Sequence, residues 1–213
     1  LEDDRKGWKA EIYEMDSLGM TTKRITFDNS YSITPSFVKN RSDNSNYQFL
    51  YVSYKIGQPR IYIGKTNDQE GRPLISLRGN QLLPSISEDG KYITFISDAS
   101  GKSDVFLQQL DHLSTPVGKP IQIYSGFQQT CSSPSLSPDN RYITFVNDKT
   151  GSPKIYIANI EDSISKHKAP HLTPILCDCS ESTSPSFSPD GKKITFSGRI
   201  NGRRQIWIYD IKT

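Results

Sequence analysis

A Pro-Ser dipeptide returns four times, at Pro35, Pro84, Pro134 and Pro185, with spacings of 49, 50 and 51 residues. An apolar residue follows each one: Phe37, Ile86, Leu136 and Phe187. The last three copies continue alike, as SEDGKYITFISDASGKSDVFLQQL, SPDNRYITFVNDKTGSPKIYIANI and SPDGKKITFSGRINGRRQIWIYDI. The first copy is degenerate, VKNRSDNSNYQFLYVSYKIGQPRIYIGKT, with extra polar residues where a turn is due. An incomplete copy, GWKAEIYEMD, precedes it. Repetition at this period means a row of like units, none of which can bury its apolar faces alone.

Each unit reads as four strands: A (PSFS), B (KYITFIS), C (DVFLQQL) and D (for example PIQIYS, or KRITF after the incomplete copy). Asp89-Gly90, Asp139-Asn140 and Asp190-Gly191 suit a tight A–B turn, because these residues tolerate positive φ. Gly57, Gly101, Gly151 and Gly202 serve between B and C. Strand B carries Ile93 and Phe95 on one face and Tyr92, Thr94 and Ile96 on the other, so both faces are built for burial between neighbouring sheets. Four-stranded units in tandem predict an all-β chain, a β-propeller of antiparallel blades. Composition agrees. The hydrophobic set is only 34% but aromatics reach 10%, and Gly and Pro are plentiful, which disfavours both a helical bundle and disorder.

The incomplete copy supplies two strands, three full units supply twelve and the last copy supplies three, so seventeen strands are expected. No whole number of four-stranded blades holds seventeen. The chain is therefore expected to be one propeller domain over 1–213, with partial C and D strands at 7–33, repeats at 34–83, 84–133 and 134–184, and a final A-B-C set at 185–213. Further blades are expected at one or both ends, and an opening Leu1 with no leader pattern reads as a processed or excised chain.

The series PSFSPDGKKITF…GRRQIWIYDI with its sister copies resembles the PD40 repeat of the TolB-type propeller family. The resemblance covers nearly all of residues 7–213. It implies a six-bladed ring, a small N-terminal α/β domain for which these residues show no pattern, and a periplasmic place in the Tol–Pal system. The implied partners are a Pal-like peptidoglycan-associated lipoprotein and other Tol proteins. PD40 repeats also occur in propellers that gate prolyl-oligopeptidase-like and tricorn-like peptidases, which is the alternative reading. WD40 is disfavoured, since its Gly-His and Trp-Asp marks do not recur. The sialidase Asp-box is disfavoured too, since here Gly or Asn follows Asp directly.

No nucleophile elbow, zinc-protease or dinucleotide motif is present, so no catalytic residue, cofactor or metal is assigned. Gly64-Lys65-Thr66 mimics the tail of a phosphate loop, but Pro59 stands where that loop needs glycine. His112, His167 and His171 fall between C and D strands without a Ser or Cys partner, and Asp89, Asp139 and Asp190 read as turn formers rather than metal ligands. A lactonase-like enzyme would bring carboxylates or histidines from several A strands, which offer Ser36, Ser85, Ser135 and Ser186 instead. Cys131, Cys177 and Cys179 are placed in D–A connections. A disulfide from Cys131 to Cys177 or Cys179 is one expectation and free thiols are another, with Cys177, Cys179 and His171 as a weaker zinc set. A net charge of +3 and no apolar span of membrane length argue against nucleic acid and against membrane insertion.

Hairpin topology puts A–B and C–D turns on one face and B–C and D–A loops on the other. The A–B turns are uniform, whereas the D–A loops (SYSIT, NQLL, QQTCSS, ESTS) and B–C loops (YKIGQP, DASGKS, NDKTGSP, GRINGRR) vary. Variable loops on a rigid frame are the expected recognition surface. Tyr31, Tyr54, Gln129 and Glu181 are the candidate contacts there, and Arg199, Arg203 and Arg204 make the last blade basic and suited to an acidic partner.

Overall fold

The computed structural model describes residues 9–38, 47–126 and 128–211. The described residues form five antiparallel sheets. A hairpin of β1 (Tyr13–Met15) and β2 (Thr22–Arg24) comes first. Blade 1 follows as β3 (Ser32–Phe37), β4 (Gln48–Ser53), β5 (Arg60–Lys65) and β6 (Arg72–Pro73). Blade 2 is β7 (Gln81–Ile86), β8 (Tyr92–Ser97), β9 (Asp104–Leu110) and β10 (Pro116–Tyr124). Blade 3 is β11 (Cys131–Leu136), β12 (Tyr142–Asn147), β13 (Lys154–Asn159) and β14 (Thr173–Pro174), with helix α1 (Glu161–Lys166) between its last two strands. Blade 4 holds β15 (Glu181–Phe187), β16 (Lys193–Ile200) and β17 (Arg203–Asp210). Number and grouping match the repeat, and the architecture is a β-propeller. The extra polar residues of the first A–B turn lie outside the described residues.

The A–B turns owe their uniformity to one hydrogen-bond unit. Ser87 Oγ donates to Asp89 Oδ1 at 2.8 Å, and that oxygen also accepts from Lys91 N at 3.1 Å. The Ser87 hydroxyl in turn accepts from Tyr92 N at 2.9 Å. Ser137 with Asp139 and Ser188 with Asp190 repeat it. The hydrogen bond from Ser188, followed by that from Lys192 N, holds the Asp190 carboxyl below its ordinary range. These aspartates are occupied by their own turns.

The inner strands begin three or four residues earlier than the Pro-Ser marks suggest. Much of what reads as D–A loop is strand, and the proline sits inside it. Each inner strand breaks register at this point, between Ile33 and Ser36, Leu82 and Ser85, Ser132 and Ser135, and Thr183 and Ser186. The residue before each proline, Thr34, Leu83, Ser133 or Ser184, stands at φ of 51°, 51°, 49° and 55° respectively. A β-bulge on an edge strand accommodates a residue without an N–H, which is why proline is tolerated here.

Apolar layers lie between blades rather than within them. Ile93 and Phe95 pack with Leu50, Val52 and Ile61 of blade 1, while Ile96 joins Ile143, Phe145 and Tyr156 of blade 3. Val146 and Ile155 face Ile194 and Phe196 of blade 4. The position held by Ile61, Val105 and Ile155, each 0% exposed, is Ile206 in blade 4, where it is 78% exposed. Ile155→Ala is expected to cost about 2–5 kcal/mol and Ile206→Ala under about 0.5 kcal/mol, measured by denaturant unfolding of the two variants in parallel.

Candidate functional site

The variable-loop face is held by a repeated clasp between blades. The residue three before each inner-strand proline donates its N–H to the segment just before strand C of the preceding unit. Ser32 N reaches Ala10 O at 2.7 Å, Gln81 N reaches Pro59 O at 3.0 Å, and Cys131 N reaches Ser103 O at 3.0 Å. Ser182 N reaches Pro153 O at 2.9 Å. A second tie runs within each blade, from Tyr54 N to Tyr31 O at 3.0 Å and from Ser180 N to Arg199 O at 2.8 Å. In blades 2 and 3 the acceptor is a side chain: Asn80 N to Asp98 Oδ1 at 2.6 Å and Thr130 N to Asp148 Oδ1 at 2.7 Å. Loops of unlike sequence are thus pinned at like points.

On this frame six of the seven candidate contacts fall into three groups. Tyr31 and Tyr54 meet edge to face, ring centroids 6.2 Å apart, and Tyr31 remains 42% exposed. Gln129 stands apart, its Oε1 accepting from Tyr124 OH at 2.7 Å. Glu181 gathers Arg199 and Arg204, each at 3.1 Å, and Arg204 also donates to Thr183 Oγ1 at 3.1 Å. Arg203 is exposed and outside that network. The basic character of the last blade is therefore partly neutralised within the blade. Its hairpin differs from the others too. Asn201 and Gly202, at φ of 48° and 77°, close a two-residue turn, and β16 and β17 pair out to Ile200 and Arg203.

The cysteine expectation needs correction. Cys177 and Cys179 form a disulfide across Asp178, with Cα atoms 5.2 Å apart, and Cys131 is a buried free thiol. Cys131 is the first residue of β11 and packs toward blade 2, whereas Cys179 packs between blades 3 and 4. The sheet of blade 3 separates them. Burial pushes the Cys131 thiol up to about 12, against the opposing hydrogen bond from Asn147 Nδ2 at 3.3 Å. With both sulfurs joined, Cys177 and Cys179 offer no thiolates to a metal. Among the described residues no group of three or more His, Cys, Asp or Glu is arranged to hold one. His112, His167 and His171 are exposed in C–D connections, and Thr66 is buried with its Oγ1 accepting from Tyr47 N at 3.2 Å.

Gly198 marks the tightest place under the last hairpin. A Cβ there would meet Trp207 Cδ1 at 2.7 Å and Cys179 Sγ at 3.3 Å. Gly198→Ala is expected to lower stability by about 1–3 kcal/mol, read as a shift in urea midpoint at unchanged slope.

Sequence reasoning places the D–A segments around a central channel but does not show the bulge that lines it. The bulged residues Thr34, Leu83, Ser133 and Ser184, with their prolines, surround a cavity of about 330 Å³ where the four inner strands converge. A second cavity of about 240 Å³ lies toward the A–B turns, among Phe37, Ile86, Leu136 and Phe187. The signal was the same Pro-Ser mark, read there as a strand start rather than a bulge facing the axis.

A family model described as the TolB beta propeller domain, PD40, matches residues 72–213. The chain belongs to the TolB β-propeller family. A "Protein TolB homolog" of Protochlamydia amoebophila (strain UWE25) is 43% identical over all 213 residues. The chain spans 45% of that relative's length. Among solved structures, TolB from Acinetobacter baumannii matches at a TM-score of 0.71 and 23% identity, over 93% of this chain and 46% of that one. A puromycin-hydrolyzing peptidase of Mycobacterium tuberculosis matches at a TM-score of 0.68 and 13% identity, over 94% of this chain and 32% of that one. Both structural likenesses are of fold. It is the sequence match that separates a TolB propeller from a peptidase propeller.

Proposed function

We propose that this TolB propeller works by binding alone, in the periplasm, as part of the Tol–Pal envelope system. Its blades present the D–A and B–C loops to a Pal-like peptidoglycan-associated lipoprotein, and no bond is made or broken. The observation that carries this reading is the clasp that repeats at every blade junction beneath loops of unlike sequence. A binding surface assembled from several strands needs its loops fixed before the partner arrives, because ordering them on contact costs affinity. The other implied partners, further Tol proteins, would use the same rigid frame. No helix among the described residues is long and apolar enough to cross a membrane. A six-bladed ring, as the family resemblance implies, is part of the proposal; Ile206 and Ile208, open at 78% and 61%, lie on the face that a following blade covers in each earlier unit.

The test is a pull-down with a purified Pal-like domain. Arg203→Glu, which reverses a charge outside the Glu181 network, is expected to weaken capture about tenfold, and Tyr54→Ala by a similar factor. Absence of binding by the folded chain, measured by titration calorimetry at micromolar concentrations, would sink the reading. Binding that ignores every substitution on this face would move the site elsewhere on the propeller.

A further inference from the structure

We propose that the Cys177–Cys179 bridge is an exchange-active disulfide that accepts two electrons from a protein dithiol, with Cys177 the sulfur attacked and Cys179 the sulfur that leaves. The inference goes beyond the binding role and does not depend on it.

The two sulfurs have unlike surroundings. Cys177 is only partly buried and sits between Leu176, 81% exposed, and the exposed Asp178. Cys179 is 5% exposed and belongs to the apolar layer between blades 3 and 4. A nucleophile can reach one sulfur and not the other. Exchange depends on which sulfur is accessible and on how well the departing thiolate is stabilised.

Burial in the apolar layer opposes a thiolate at Cys179, as it does at Cys131, and two neighbouring groups act against that burial. Lys154 Nζ donates to Cys179 O at 2.5 Å, which places a cation beside the residue. Trp207 Nε1 is buried without a hydrogen-bond partner, and it converges with Cys179 Sγ on the same point above Gly198. An unpaired buried N–H is costly in the bridged form. It becomes a donor to the thiolate when the bridge opens. The one-residue spacing also means that reduction releases almost no chain entropy, so the bridge gives the fold little of the stability that longer loops confer.

The chemistry balances with the dithiol as reductant. Its thiolate attacks Cys177 Sγ, the S–S bond breaks, and the Cys179 sulfur departs as a thiolate that takes up a proton. The second thiol of the dithiol then attacks its own sulfur in the mixed disulfide and releases the Cys177 thiol. The dithiol is oxidised to a disulfide, and two protein thiols are formed. The segment that is freed leads into β15 on the variable-loop face.

The experiment begins with unmodified chain prepared without reductant. Iodoacetamide labelling with mass analysis is expected to add nothing to the folded protein and one group, on Cys131, after denaturation. After millimolar dithiothreitol under native conditions, labelling of the folded protein is expected to add one group, on Cys177, and labelling after subsequent denaturation two more, on Cys179 and Cys131. In a Trp8→Phe background, Trp207 fluorescence is expected to rise with the same time course, because a disulfide beside an indole quenches it. Glutathione disulfide is then expected to modify Cys177 in Cys179→Ser at least about tenfold faster than Cys179 in Cys177→Ser. Three thiols in the untreated chain would overturn the proposal, as would reduction that needs prior unfolding. Equal rates at the two sulfurs would overturn the assigned roles. The dithiothreitol arm uses the unmodified chain, so a variant that fails to fold leaves the test intact.

Discussion

Replacing Phe145 by alanine is expected to lower the unfolding free energy by about 3–5 kcal/mol. The side chain is 0% exposed and sits in the layer between blades 2 and 3, with the Tyr124 ring centroid 5.5 Å away. Its ladder partner on the neighbouring strand is Tyr156, itself 2% exposed. A propeller has no single centre to its core, so each blade is held by two thin layers, and a void in one of them weakens the joint between whole sheets. Phe37 provides the contrast. It is 57% exposed, and Phe37→Ala is expected to change stability by less than about 0.5 kcal/mol. Guanidinium unfolding followed by far-UV circular dichroism measures both. A Phe145→Ala protein as stable as the Phe37→Ala protein would contradict this picture of layered cores.

Local chemistry was legible in the chain and pairing across blades was not. The Ser-x-Asp-Gly turn declares itself because its hydrogen bonds all fall within five residues, from Ser87 to Tyr92. The alternation of strand B was legible for a similar reason. Ile93 and Ile96 reach different layers because strand geometry alone sends neighbours to opposite faces. The inner strands start earlier than the sequence suggests because residues near their beginnings are fixed from outside the unit. Gln81 is a strand residue by virtue of Pro59, and Ser182 by virtue of Pro153. The positive φ before each proline then breaks the alternation that a sequence reading relies on. Cys131 stands three residues before its proline, as Ser32, Gln81 and Ser182 do. That equivalence makes it an inner-strand residue. At the candidate site the sequence shows the charges and not their pairing. Glu181 lies 18 residues from Arg199 and 23 from Arg204, and only the β15–β16–β17 register brings the three together.

Asp28→Ala is expected to cost about 1–3 kcal/mol, the range for losing hydrogen bonds to a charged group in a half-buried ion pair. The Asp28 side chain is only 3% exposed and Lys55 Nζ stands 3.1 Å from its Oδ1. Ser32 Oγ donates to its other oxygen at 3.2 Å. Lys55 also lies 4.4 Å from the Tyr62 ring centroid, so the pair joins the segment before β3 to the loop and sheet of blade 1. Without the carboxylate, the lysine loses its counter-ion in a confined place. The same carboxylate makes stability depend on pH. Burial pulls its pKa up, but hydrogen bonds from Ser53 and Lys55 outweigh that effect and leave it below 3.8. A depressed carboxylate binds its proton less readily in the folded chain than in the unfolded one. Its contribution is therefore complete above the unfolded value and is lost as pH falls through the folded value. Stability measured by urea unfolding should fall below about pH 4. Asp28→Asn should be less stable than the unmodified chain at neutral pH, and the difference between them should narrow as the pH is lowered through this window. A difference that stays constant to the acid limit would show that Asp28 contributes by shape and hydrogen bonding rather than by charge.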